Sequence, residues 1–147
     1  MGFEDRFAVL DTGAYAVRGH LKPLDGFETD PVAVAERFVG APYLWGGRTS
    51  LGLDCSALVQ TGLAACGVPA PRDSDMQEAD LGKRVDLEKA RRGDLVFWKG
   101  HVAFVRDADT LLHANAWAMA VAVEPLTSAI ERIRKAGDEV TSVRRIG

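Results

Sequence analysis

Cysteine is scarce in this chain: two among 147 residues, Cys55 and Cys66. So few exclude a disulfide-built scaffold. Their separation is not the close pairing of a structural zinc site, and both are expected to be free thiols. No apolar run approaches the roughly 18–20 residues that cross a bilayer, so no membrane insertion is expected. Positive charge is not in excess either. Lys and Arg number 18 against 21 Asp and Glu, for a net charge of −3. That balance lacks the electrostatic footprint of a nucleic-acid binder. The segment Met1 to Arg6 has two acidic residues and no apolar stretch, unlike a secretory leader, and the location this favours is cytoplasmic. What is abundant is ordinary: 47% hydrophobic and 27% charged residues describe an ordered chain long enough for one sizeable core.

The pattern along the chain is α+β. Phe7, Val9 and Leu10, then Tyr15 and Val17, read as β-structure broken at Thr12-Gly13. Residues 1–27 are therefore set apart as a β-rich extension, and residues 28–147 as the main domain. Asp30-Pro31 opens a helix as N-cap and first helical residue. Val34, Ala35, Phe38 and Val39 give that helix its apolar stripe, and Gly40 closes it. Asp54 caps a second helix over Cys55–Cys66, ended by Gly67 and the prolines Pro69 and Pro71. Ser74 to Ala79 forms a short helix. Strands follow at Leu95–Trp98, His101–Arg106, Thr110–Asn115 and Ala118–Val123. A last helix runs from Pro125 to Lys135, and a closing strand covers Val140–Ile146.

Two groups carry reactive chemistry. Cys55 lies in the first turn of its helix, where free N–H groups and the positive end of the macrodipole lower a thiol pKa. The bland alternative is a small hydrophobe anchoring the helix, which suits Cys66 better. His101 and His113 lie on consecutive strands joined by a turn at residues 107–109. Pairing about position 108 gives residue-number sums near 214 or 216. Both are even, so the two imidazoles share one face, opposite or diagonal. One ring can then act as base while the other fixes its tautomer; unrelated strand-edge histidines are the alternative. His20 reads as a surface residue. In the segment Ala41 to Arg48, Gly46-Gly47 allows a tight bend. Tyr43 offers a phenolic donor and Trp45 a wall, unless both pack under a loop. Arg72 can grip a carboxylate bidentately, with Ser74 or Asp73 capping the short helix.

Taken together, Tyr43-Leu44-Trp45-Gly46-Gly47, Asp54-Cys55-Ser56, Pro71-Arg72-x-Ser74-x-x-Gln77, Arg92-Gly93-Asp94-Leu95-Val96-Phe97-Trp98, His101-Val102 and Leu112-His113-Ala114 resemble the NlpC/P60 family of cell-wall cysteine peptidases. The resemblance spans roughly residues 30–146. It implies a papain-like α+β fold with the nucleophile helix packed on an antiparallel sheet. It implies Cys55 as nucleophile, His101 as base, His113 as its orienting partner and Tyr43 beside the oxyanion. Asp54, Ser56, Arg72 and Ser74 match positions lining the substrate cleft, Trp45 is counted with them as a substrate-binding wall, and no metal or cofactor is called for. The activity implied is hydrolysis of peptidoglycan stem peptides, at γ-D-glutamyl bonds to a diamino acid such as meso-diaminopimelate, in the wall or in muropeptides under recycling. The family usually has glycine where Ala57 and Ala103 stand. An amidase or acyltransferase on another substrate, or a catalytically idle wall-binding module, are the competing expectations. Residues 3–24, with Arg18-Gly19-His20-Leu21, resemble the tail of a bacterial SH3-like domain, most of which would be absent from this chain.

Overall fold

The computed structural model describes residues 3–147, so Met1 and Gly2, the start of the expected extension, lie outside the described residues. In chain order the elements are α1 (Phe3–Arg6), β1 (Phe7–Val9), β2 (Tyr15–Val17), α2 (Pro31–Glu36), β3 (Arg48–Thr49), β4 (Gly52–Leu53), α3 (Cys55–Ala65), α4 (Ser74–Asp80), β5 (Lys83–Val85), β6 (Leu95–Trp98), β7 (His101–Val105), β8 (Thr110–Asn115), β9 (Ala120–Pro125), α5 (Leu126–Lys135) and β10 (Val140–Arg145). Strands β1 and β2 form a separate antiparallel hairpin. Their apolar residues Val9, Tyr15 and Val17 remain exposed. The hairpin is β-rich, as its alternation suggests, but contributes nothing to either core cluster.

The centre is one six-stranded sheet in the order β5-β10-β6-β7-β8-β9, antiparallel throughout. Strands β6 to β8 are buried on both faces. Under α2 and α3, Val32, Leu58 and Leu63 pack with Phe97, Val102, Phe104 and Leu112. On the other face Ala129 of α5 packs with Val96, Trp98, Ala103, Val105 and Leu111. The period-two alternation of β7 divides its residues between these layers. This is the papain-like α+β arrangement, with the Cys55 helix lying on the sheet.

Capping explains where the helices begin. Asp30 Oδ1 accepts the N–H groups of Val32 and Ala33, at 2.9 and 3.2 Å, with Pro31 at the first helical position. Helix α2 is shorter than its apolar stripe suggests. It ends at Glu36, residues 37–40 form a turn, and Val39 is exposed. Strands β3, β4 and β5 were not expected. The first two pair over four residues beside the Gly46-Gly47 bend, and β5 borders β10 with little apolar content. At Gly47 a Cβ would sit 2.3 Å from the Gly52 carbonyl oxygen, so only glycine allows this approach.

Gly62 marks a second close approach. A Cβ there would lie 2.8 Å from the Pro31 carbonyl oxygen and 3.2 Å from the Phe104 ring. Gly62→Ala should therefore destabilise the fold, although alanine favours helix by about 1 kcal/mol. Overpacking of about 1–3 kcal/mol outweighs that gain. The check is the urea midpoint, and a midpoint equal to or above that of the parent would refute the tight packing.

Candidate active site

The site begins at the α3 N-terminus. The Asp54 carboxylate accepts the Ala57 N–H on Oδ1 and the Gly46 N–H on Oδ2, both at 2.9 Å. It thus caps the helix and pins the glycine bend in one contact set. Arg72 grips the same carboxylate with both terminal nitrogens, Nη1 to Oδ1 at 2.9 Å and Nη2 to Oδ2 at 2.7 Å. Its Nη1 also donates to the Ser56 hydroxyl at 2.9 Å. Burial pushes the Asp54 carboxyl up, but Arg72 and the N–H groups of Ala57 and Gly46 carry it below its ordinary value. The expected bidentate carboxylate grip of Arg72 is therefore real, but its partner is internal. Buried Gln77 donates to the Ser56 and Pro71 carbonyl oxygens, both at 2.9 Å, which locks α4 against the first turn of α3.

Cys55 is 8% exposed. It lines a cavity of about 200 Å³ with Tyr43, Trp45, Asp54, Ser56 and Ser74. Four of the five cleft residues expected from the sequence, Asp54, Ser56, Ser74 and Trp45, thus line the same cavity as Cys55. Arg72 opens instead on a neighbouring cavity with Trp45 and Arg48. Burial pushes the Cys55 thiol above its ordinary pKa, more strongly than the N–H groups of Val102, Ser56 and Cys55 pull it down. The expectation of a thiolate favoured by the helix terminus is thus corrected. The terminus acts as foreseen, but desolvation of the sulfur is the larger effect. The phenol of Tyr43 is also pushed up, by burial and then by the neighbouring Cys55 and Asp54.

The two histidines meet as their strand parity requires. The β7–β8 register pairs Phe104 with Leu112 and Val105 with Leu111, which places His101 and His113 on one face as diagonal neighbours. His101 Nε2 lies 2.7 Å from His113 Nδ1. His113 Nε2 lies 2.6 Å from Glu124 Oε1, and Arg132 of α5 donates to the same oxygen. Hydrogen bonding to His113 and Arg132 holds the Glu124 carboxyl below its usual range, so it is an ionised acceptor. With the His113 ring neutral, donation from its Nε2 to that carboxylate leaves Nδ1 to accept from His101 Nε2, and the lone pair of His101 is then on its Nδ1. Burial, then the neighbouring His113 and Arg132, push the His101 pKa down to about 3. The ring is neutral.

No hydrogen bond joins the Cys55 sulfur to His101 among the described residues. The sulfur faces the backbone on either side of that ring instead. The Val102 N–H acts on the thiol, and Gly100 lines its cavity. The thiol comes from the α3 face of the sheet and the relay from the α5 face, and the residues that flank His101 at the start of β7, Gly100 and Val102, are the ones that meet the thiol side. Glu124 and Arg132 were not among the residues singled out from the sequence. His20 is exposed, as expected, and ends the short turn Arg18–His20 that follows β2. Among the described residues no group of three or more His, Cys, Asp or Glu side chains is placed to hold a metal ion.

Comparison with known proteins supplies independent findings. The family model described as "NlpC/P60 family" matches residues 40–136. The chain is 33% identical over 128 residues to the gamma-D-glutamyl-L-lysine dipeptidyl-peptidase of Bacillus subtilis, covering 82% of this chain and 41% of that protein. A solved NlpC/P60 family protein from Bacillus cereus superposes with a TM-score of 0.76 at 28% identity, over 95% of this chain and 49% of that one. The peptidoglycan hydrolase RipB from Mycobacterium tuberculosis superposes with a TM-score of 0.66 at 33% identity, over 79% of this chain and 62% of that one. This chain spans less than half the length of the first curated relatives it matches.

Because burial raises the Cys55 pKa, thiolate is sparse at neutral pH and grows only as pH climbs through the alkaline range. In a Cys66→Ser protein, alkylation by iodoacetamide should keep accelerating above pH 9. The imidazole NMR signals of His101 should not titrate near pH 6.5. A reactivity plateau already reached at pH 7 would instead reveal a preformed thiolate–imidazolium pair.

Proposed function

The chain belongs to the NlpC/P60 family, and from that premise and the site geometry we propose that it is a cysteine endopeptidase of peptidoglycan stem peptides, cutting γ-D-glutamyl bonds to a diamino acid. The observation that carries this reading is the His101–His113–Glu124 relay. It leaves a proton-accepting nitrogen on the residue whose backbone neighbours border the only thiol in the cleft. Support for the bond type comes from a relative whose name specifies a γ-D-glutamyl-L-lysine link. A further relative, at 34% identity, is named a peptidoglycan endopeptidase.

Cys55 and His101 both start neutral. As the sulfur attacks the scissile carbonyl, its proton passes to His101 Nδ1, so sulfur and base act together rather than as a standing ion pair. The oxyanion that forms is met by the Tyr43 hydroxyl and the Cys55 N–H. His101 then gives its proton to the leaving amine, the C–N bond breaks, and a thioester remains on Cys55. Water, giving a proton to His101, attacks the thioester. The carboxylic acid product departs and the thiol is restored. His113 and Glu124 touch no reacting atom; they position His101 and set its tautomer. No step draws on a metal or a cofactor. The stem peptide or muropeptide is the one partner required.

The competing acyl chemistry on lipid calls for an apolar tunnel beside the sulfur. The cavity at Cys55 carries Asp54, Ser56, Asp73 and Ser74 instead, which suits a polar peptide. An idle binding module has no use for a relay that fixes two tautomers in series.

The direct test is incubation with L-Ala-γ-D-Glu-meso-diaminopimelate and mass analysis of the fragments. Cleavage should follow the γ-D-glutamyl residue and be lost in Cys55→Ala with the fold retained; turnover by that variant would refute the nucleophile. Glu124→Gln can present its amide N–H to His113, reversing both tautomers and blocking His101 Nδ1. Its kcat should fall by at least about tenfold with KM nearly unchanged. An equal loss of thermal stability and of substrate binding would mark Glu124 as structural only.

A further inference from the structure

A cavity of about 590 Å³ lies beside edge strand β5, three strands from β7. The β6 register sets it at the opposite end of the sheet from the histidines: Leu95 pairs with Arg144, whereas Trp98 pairs with His101. Lys83, Arg84, Arg91 and Arg145 border this cavity, with Val85 and Ile146 as apolar walls. Among the described residues no acidic side chain borders it. Register concentrates the charge further, because Lys83 stands directly opposite Arg145 and Arg84 opposite Arg144. Like charges so placed on paired strands are destabilising. A lysine on an edge strand wards off strand addition, but that purpose needs neither the facing arginines nor Arg91, which comes from a separate loop. Asp94 answers the charge of Arg145 alone, accepting Nε at 2.9 Å and Nη2 at 2.8 Å. That grip fixes the guanidinium and leaves its Nη1 unspent among the described residues. Arg84 spends only Nη2, on the Thr141 carbonyl oxygen at 3.0 Å. The exposed side chains of Lys83 and Arg91 enter no hydrogen bond or ion pair among the described residues.

Four cations from two strands and a loop thus converge on one space. Their directions say what kind of anion suits them. A planar carboxylate is satisfied by a single fork, whereas the tetrahedral oxygens of a phosphate accept from several sides at once. At roughly 30 Å³ per water the cavity has room for more than one such group. No aromatic side chain borders it, so nothing here stacks a base. A phosphodiester chain carries one charge per phosphate, too sparse to answer three uncompensated cations in one cavity. We propose that this cavity binds an oligophosphate, the pyrophosphate or triphosphate part of a small molecule, with Arg145 as the fixed donor and Lys83, Arg84 and Arg91 as the arms that close on it. The site uses no residue of the cleft and stands apart from the peptidase reading.

The test is calorimetric titration of tripolyphosphate into the full chain at low salt. One saturable site should appear, weakening as salt rises. Arg91→Ala should lower the affinity about tenfold, the size of one charge-assisted contact, and the Lys83→Ala, Arg91→Ala double variant about a hundredfold. Neither side chain holds the fold together, so both variants should melt no lower than the parent. Lys99→Ala, which removes a cation from the opposite end of the sheet, should bind as the parent does. Citrate and a glycerol phosphodiester oligomer should each bind at least about tenfold more weakly than tripolyphosphate. Absence of saturable binding at millimolar tripolyphosphate overturns the site. So does an affinity unchanged in the double variant, or one lowered as much by Lys99→Ala. Citrate or the phosphodiester bound as tightly as tripolyphosphate overturns the assignment of an oligophosphate.

Discussion

The carboxylate of Asp54 is the group on which the rest of the site depends. It is buried, and a buried charge persists only when its lone pairs are satisfied. Here both oxygens are occupied: by a helix N–H, a loop N–H, a hydroxyl and a guanidinium. These partners come from three parts of the chain. One contact starts α3, another shapes the bend that follows Tyr43, and a third ties in the segment ahead of α4. The position of Cys55 is a consequence, since it is the residue that follows the cap. Removing one partner of such a buried pair leaves the other charge uncompensated, so the contacts are held as a set.

The sheet divides the chemistry into two supplies. Helix α3 brings the sulfur from one face, and β8, β9 and α5 bring the relay from the other. Antiparallel register makes the relay possible, because diagonal neighbours on adjacent strands sit within reach of imidazole rings. At the start of β7, Gly100 lines the cavity of the thiol and the next residue, His101, begins the relay. The protein thereby keeps a rigid centre of four buried strand residues on each side of the β6–β7 hairpin and places its reactive groups at the rim.

Much of this was legible in the residues themselves. The caps Asp30 and Asp54, the β7–β8 turn and the parity of the two histidines are local signals, and each specifies a position without reference to distant parts of the chain. The glycine-lined bend was legible as a bend, although not as the small β3–β4 hairpin, which has too few residues for a period. The relay beyond His113 was not legible, and the reason is specific. The β8–β9 register pairs His113 with Ala122 and so puts Glu124 on the same face. To read this, the turn must be located, and Ala116 to Met119 contains no glycine, asparagine or proline. Met119 takes the left-handed conformation itself, with φ at 53°, where glycine or asparagine is the usual signal. The strand boundary drawn at Val123 therefore stopped one residue short of the carboxylate. The raised thiol pKa is hidden in the sequence for a different reason. Helix position is visible in a sequence, but the depth of a side chain is not.

Arg132 has an effect beyond holding Glu124 in place. Its charge opposes a proton on His101, adding to burial and to the neighbouring His113 and working against the opposite pull of Glu124. In the proposed reaction it therefore presses the borrowed proton onward to the departing nitrogen.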